Sequence, residues 1–190
     1  MLGRGVDQIL PHPGNPTLYE RQVHDARTYV DLAIRANGNI SQPVDWSWPW
    51  GEALQFLEYA GCDARIINLE TSVTTSDDYV PGKAVHYRMN PANSEALAAI
   101  RPDVCVLANN HVLDFGRRGL LETLDVLSAS GLATVGAGRA LHQAQSPVII
   151  PIPRTGGRIL VFAFGSPSSG IPYEWAATDD NPGVHVITTL

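Results

Sequence analysis

The chain has little cysteine, little charge and no long apolar run, and each shortage narrows what it can be. Only two cysteines, Cys62 and Cys105, occur in 190 residues, which excludes a disulfide framework and leaves at most one bridge. Both stand in apolar surroundings (AGCDARII and DVCVLANN), where a free thiol packs as a small hydrophobe, so two buried thiols are expected. Charged residues make up 17% and hydrophobic residues 44%. That balance argues against a charged helical rod and against disorder as the general state. No apolar stretch approaches the ~18 residues of a membrane helix, and MLGRGVDQILPHPG lacks the positive-then-apolar pattern of an export signal. Basic residues are the scarcer sign: 13 Lys and Arg against 19 Asp and Glu give a net charge of −6, with a pI near 5.4. A general nucleic-acid surface needs clustered Lys and Arg to neutralise phosphates, so that function class is not expected.

What remains is enough for one ordinary domain over residues 1–190, with 17 glycines and 14 prolines marking a loop-rich chain. The first fifty residues read as largely irregular, apart from a helical pattern from Asp25 to Ala36 ended by Asn37-Gly38. Trp46, Trp48 and Trp50 lie in a loop and are expected to cover a hydrophobic edge, the alternative being that they line a polymer groove. Pro49 opens a second candidate helix that runs to Gly61. From residue 62 the pattern becomes regular. Ala64 to Leu69, Val104 to Ala108 and Ala133 to Val135 are short apolar runs of strand length. A polar loop (TSVTTSDDYVPGK) and a possible strand over 85–89 follow the first of these, and a helix over NSEALAAI precedes the second. Arg117 to Ser130 carries Leu120, Leu121, Leu124 and Leu127 at helical spacing and is closed by Gly131. Val148 to Ile152 and Arg158 to Phe164 flank RTGG as a hairpin, and Val184 to Leu190 reads as a last strand. Strands alternating with helices predict an α/β fold with a parallel sheet and right-handed crossovers.

In such sheets, ligands gather at the carboxyl ends of strands. Two strand ends carry unusually polar tips: Asn68-Leu69-Glu70, and Asn109-Asn110-His111 with Asp114 one helical turn on. Carboxylate, carboxamide and imidazole together suit a divalent-metal site, or a proton-transfer site in which the imidazole is acid or base. Each also has an ordinary reading: Asn109 as a turn former, Asp114 as a cap or as the group holding His111 in one tautomer, Glu70 as a loop carboxylate. The five remaining histidines, His12, His24, His86, His142 and His185, lack metal-ligand spacing. GAG at 136–138 is not a dinucleotide fingerprint, and GSPSSG at 165–170 is not a nucleophile elbow.

At these residues the sequence resembles the CapA-type poly-gamma-glutamate (capsule) biosynthesis proteins of bacteria, within the calcineurin-like metallophosphatase superfamily. MLGRGVDQ resembles the stretch after that family's first strand, NLET at 68–71 its Asn-Leu-Glu signature, and ANNHVLDFGRRGL at 108–120 its Asn-Asn-His-x-x-Asp-x-Gly-x-x-Gly-Leu block. ATVGAG at 133–138 and VFAF at 161–164 follow in order. The resemblance implies a four-layer α/β/β/α metallophosphatase-like sandwich, incomplete at both termini. It further implies two divalent ions (Mn, Fe or Zn) in a complete site. By position it makes Glu70 and Asn110 metal ligands, His111 the catalytic group that contacts the transferred moiety, and Asp114 its support. The family's Gly-Asp falls just before Met1 and its distal His motifs beyond residue 190, so these residues are expected to be part of a longer protein. Relatives of this kind are often membrane-anchored or exported.

Two functions follow as expectations. One is a metal-dependent, phosphoesterase-type hydrolase serving capsule or poly-gamma-glutamate synthesis, with an anionic polymer or phosphoester as substrate and other capsule synthesis proteins as partners. The other is a non-catalytic protein that holds polymer on the same frame, with Arg4, Arg88, Arg117 and Arg118 as local contacts.

Overall fold

The computed structural model describes residues 2–187. Its centre is a three-stranded parallel sheet of β1 (Ile66–Asn68), β4 (Val104–Val106) and β5 (Thr134–Val135), in the order β1-β4-β5. Ile67 lies beside Cys105, and Cys105 beside Thr134. The two crossovers carry α4 (Glu95–Ala98) and α5 (Gly116–Ala129), as expected for parallel pairs that cannot be joined by a hairpin. α5 forms because Leu120, Leu124 and Leu127 recur on one face and are buried. Each such side chain contributes roughly 1.5–3 kcal/mol by leaving water. The helix ends where Gly131 takes a left-handed φ of 70°, a conformation an L side chain resists.

Around this sheet stand three two-stranded ones. β2 (Ser72–Val73) pairs in parallel with β3 (Arg88–Met89), β6 (Ala137–Gly138) antiparallel with β9 (Gly183–Val184), and β7 (Val148–Ile152) antiparallel with β8 (Gly157–Val161). The main core gathers Val73, Met89, Leu97, Leu107, Leu113 and Leu120, with further side chains from the N-terminal segment. A second cluster of Val104, Val135, Ile150, Val161 and Ala163 joins β4 and β5 to the hairpin. The fold is mixed α/β.

Several elements depart from the sequence pattern. The first fifty residues are more ordered than they read. Gly5–Ile9 forms α1, and α2 (Arg27–Asn37) packs against it, through positions such as Ile9 and Val30, buried in the main core. The expected helix from Pro49 is a 3-10 turn, Trp48–Trp50, followed by α3 (Ala53–Ala60). Trp46 and Trp50 cover the core as expected, the latter donating its indole N–H to the Ala96 carbonyl at 2.6 Å, whereas Trp48 is about half exposed. The stretch TSVTTSDDYVPGK is not wholly loop, because Ser72 and Val73 are buried and paired to the shortened strand β3. A short helix, α6 (Leu141–Gln145), follows β6. β8 ends at Val161, leaving Phe162 and Phe164 exposed, and the last strand is Gly183–Val184, while residues 188–190 lie outside the described residues. Of the two thiols expected to be buried, Cys105 is buried and Cys62 is exposed. Cys62 follows the left-handed Gly61 at the end of α3, a helix with no buried residue, so its apolar sequence neighbours do not enclose it.

Candidate functional site

Strands β1 and β4 run side by side with Asn68 opposite Val106, so their carboxyl ends place Asn68–Glu70 next to Asn109–His111. The two tips are stapled by Asn109. Its Nδ2 donates to Asn68 Oδ1 at 3.1 Å and to the Leu69 carbonyl at 3.0 Å, and its Oδ1 accepts from the His111 N–H at 3.0 Å. Asn109 is therefore the turn former its position suggests, and its amide is fully used. Asn68 turns its own Nδ2 onto Glu70 Oε1 at 2.9 Å, which orients that carboxylate and leaves its second oxygen without a side-chain partner among the described residues. Below the turn, Ser72 Oγ lies 3.1 Å from the carbonyls of both His111 and Val112, tying the site to β2.

The chemistry centres on Asp114. Its side chain has no solvent exposure, and a charged group so placed is tolerated only when fully hydrogen-bonded. Oδ2 accepts from His111 Nδ1 at 2.8 Å and from the Tyr87 N–H at 2.7 Å, and Oδ1 is paired with the Lys83 ammonium. An ionised carboxylate only accepts, so the proton of the neutral imidazole sits on Nδ1. The Nε2 lone pair is then left without a partner among the described residues. Asp114 does not cap α5; it holds His111 in one tautomer and one orientation. The edge of the Tyr87 ring completes the support, with its centroid 4.4 Å from that of His111. Tyr87 also lines a cavity of about 300 Å³, together with Arg4, Tyr29, Ile40 and Trp48.

Asn110 sits at the same tip, partly exposed, against the 165–175 segment. A Cβ added at Gly170 would lie 3.2 Å from Asn110 Nδ2, and Gly170 has a φ of 77°, so both space and backbone call for glycine. Arg117 anchors this segment, donating to the Glu174 and Pro182 carbonyls at 3.0 Å each.

The structure thus brings together all four residues singled out in the sequence, Glu70, Asn110, His111 and Asp114, around one pair of strand ends. It adds Lys83, Tyr87 and Gly170, which sequence reasoning missed because they come from distant segments. Lys83 alone carried a usable signal: it is the chain's only lysine. The four arginines considered as polymer contacts fare differently. Arg4 pairs with Glu20 at 2.6 Å, Arg88 with Asp77 at 2.6 Å and Arg117 with backbone carbonyls, whereas Arg118 is exposed and has no such partner among the described residues.

The sequence resemblance implies divalent ions, and the donors present bear on whether these residues hold them. Glu70 offers one carboxylate oxygen and Asn110 one carboxamide, while His111 is held through Nδ1 by Asp114. Among the described residues no three His, Cys, Asp or Glu side chains converge. By themselves these residues do not fit a closed metal centre, which needs three or more protein ligands.

Comparison with known proteins agrees with the motif order. The family model described as bacterial capsule synthesis protein PGA_cap matches residues 1–189. The chain is 51% identical over 187 residues to a "probable polyglutamine synthesis accessory protein" of Mycobacterium tuberculosis, in both strain CDC 1551 and strain H37Rv. That alignment covers 98% of this chain and 49% of each relative, so the chain spans about half their length. It is also 32% identical over 149 residues to the PGA biosynthesis protein CapA of Bacillus subtilis, covering 78% of this chain and 30% of that protein. With a family model matching almost every residue and the Asn-Asn-His-x-x-Asp block folded into one site, the chain belongs to the bacterial capsule synthesis protein PGA_cap family.

Proposed function

We propose that this chain supplies the acid–base half of a hydrolase-type site serving the synthesis of a poly-gamma-glutamate capsule or a similar anionic polymer. The observation that carries the reading is the buried Asp114 holding His111 through Nδ1. An imidazole fixed in this way takes up a proton at Nε2 from an attacking water or hydroxyl, and returns it to the leaving group in the next step. The placement supports the same role: Nε2 belongs to a strand-end turn beside Glu70 and Asn110, where open α/β sheets collect ligands. The names carried by the mycobacterial and Bacillus relatives point to polymer synthesis, and an accessory role points to other synthesis components as partners. No helix among the described residues is long and apolar enough to cross a membrane.

The four-layer metallophosphatase-like sandwich belongs to this proposal as the frame of the longer protein, with the β1-β4-β5 sheet as part of one of its two central sheets. Divalent ions belong to it in the same sense. Glu70 and Asn110 are the groups the described residues offer a cation. The chemistry assigned to these residues is His111's own.

Capsule yield in a polymer-producing strain, complemented by the native gene or by His111→Ala, tests the reading. Loss of most polymer at unchanged protein level is expected. Full yield with His111→Ala, together with retained binding of γ-glutamyl oligomers, overturns catalysis in favour of a polymer-holding role. That alternative has less support here, because Arg4, Arg88 and Arg117 are already committed to internal partners.

A further inference from the structure

Lys83 lies in the loop between β2 and β3, far in sequence from the strand-end turn, yet its ammonium reaches two acceptors on that turn. It donates to the Asn110 carbonyl and to Asp114 Oδ1. It also stands 4.9 Å from the centroid of the Trp175 ring, so a third segment closes over it. The side chain is about one-fifth exposed and its acidic partner not at all. In a chain with twelve arginines and one lysine, the single lysine brings its charge to two acceptors on one turn at once.

We propose that Lys83 is the positioning residue of this site: its ammonium clips the Asn109–Asp114 turn shut, balances the buried Asp114 charge, and so locks His111 in the Nδ1–H tautomer with Nε2 presented outward. The inference rests on reading His111 as the working group, but concerns what holds that group. The physical case has two parts. Asp114 has three donors, and only Lys83 brings a formal charge to compensate its own when the imidazole is neutral. The Asn110 carbonyl precedes the His111 N–H in the same peptide unit, so the bond from Lys83 and the bond to Asn109 Oδ1 fix that peptide from both sides. A loop without residues of the recognised motif therefore decides where both Asn110 and His111 point.

Two measurements test this without assaying activity, so they fail or succeed independently of the proposed reaction. The first is the ¹⁵N spectrum of the His111 ring in the native chain and in Lys83→Met and Lys83→Arg. A single Nδ1–H tautomer is expected in the native protein, a mixture of tautomers in Lys83→Met, and recovery of the native form in Lys83→Arg, with the other amide resonances in place. An unchanged tautomer in a folded Lys83→Met chain overturns the proposal, as does a failure of the Arg variant to recover it. The second uses the native protein alone and holds whether or not the variants fold. Because Lys83 is the only lysine in these 190 residues, an amine-selective acylating reagent followed by peptide mass analysis reads its ε-amine directly. Lys83 is expected to react at least ~10-fold more slowly in the folded chain than in the urea-unfolded one, since labelling requires the clip to open. Equal rates in the two states overturn the clip.

Discussion

A single buried carboxylate organises the site, and what surrounds each group sets its chemistry. Asp114 is surrounded by three donors, and only one of these, His111, is near it in sequence. The motif Asn-Asn-His-x-x-Asp thus made the His–Asp pair legible, because three residues of separation across a turn suffices for contact. Lys83 and Tyr87 were not legible, because nothing local to them states which turn they will face. The cysteines give the same lesson in a form that is easy to measure. Burial pushes the Cys105 thiol up to about 11, whereas Cys62 is exposed. The thiolate is the reactive species, so iodoacetamide at pH 8 is expected to label Cys62 promptly and to reach Cys105 only after unfolding. Mass analysis of the labelled peptides checks this, and equal labelling in the folded chain would contradict the burial described.

At the scale of elements, the long helix was the most legible piece and the two-residue strands the least. The leucines of α5 repeat with helical period, and a glycine stop follows, so the sequence marks both face and end. β2 and β3 have no period to read. They exist because Val73 and Met89 are buried side by side, a pairing set by the packing of α5 on β2. Thr123 makes that packing specific: its Oγ1 accepts from the Val73 N–H at 2.9 Å and donates to the Gly119 carbonyl at 2.7 Å. Replacement by valine keeps the shape but leaves a buried N–H unpaired, at a cost of about 1–3 kcal/mol. We expect Thr123→Val to lower the unfolding free energy read from urea titration by that amount, while Thr123→Ser, which retains the hydroxyl, loses less. Equal losses would place the effect in packing of the methyl group.

For the molecule as a whole, the N-terminal segment is joined to the body through Asp7. This buried carboxylate accepts from the Asn90 N–H at 2.9 Å, Asn93 Nδ2 at 2.7 Å and the Gly14 N–H at 3.0 Å. Burial raises its pKa above the ordinary 3.8, and those hydrogen bonds oppose the rise without cancelling it. A carboxyl whose folded value is raised binds its proton more tightly in the folded state. Its contribution is therefore complete below 3.8 and is lost as the pH climbs through the raised value. Urea unfolding of the native chain and of Asp7→Asn, which cannot titrate there, is expected to show a difference in favour of the native chain that narrows from acid to neutral pH. A difference that widens would reverse the assigned direction. By itself the sequence determined the α/β class, the principal helix and its stop, the family, and the strand-end location of Glu70, Asn110, His111 and Asp114. All of these follow from local period, turn chemistry and motif order. Only the tertiary structure decided that Cys62 is exposed, that Ser72–Val73 is a strand, and that Lys83, Tyr87 and Trp175 converge on the motif. Burial and ionic pairing depend on which distant segments come together, and no window of sequence contains both partners.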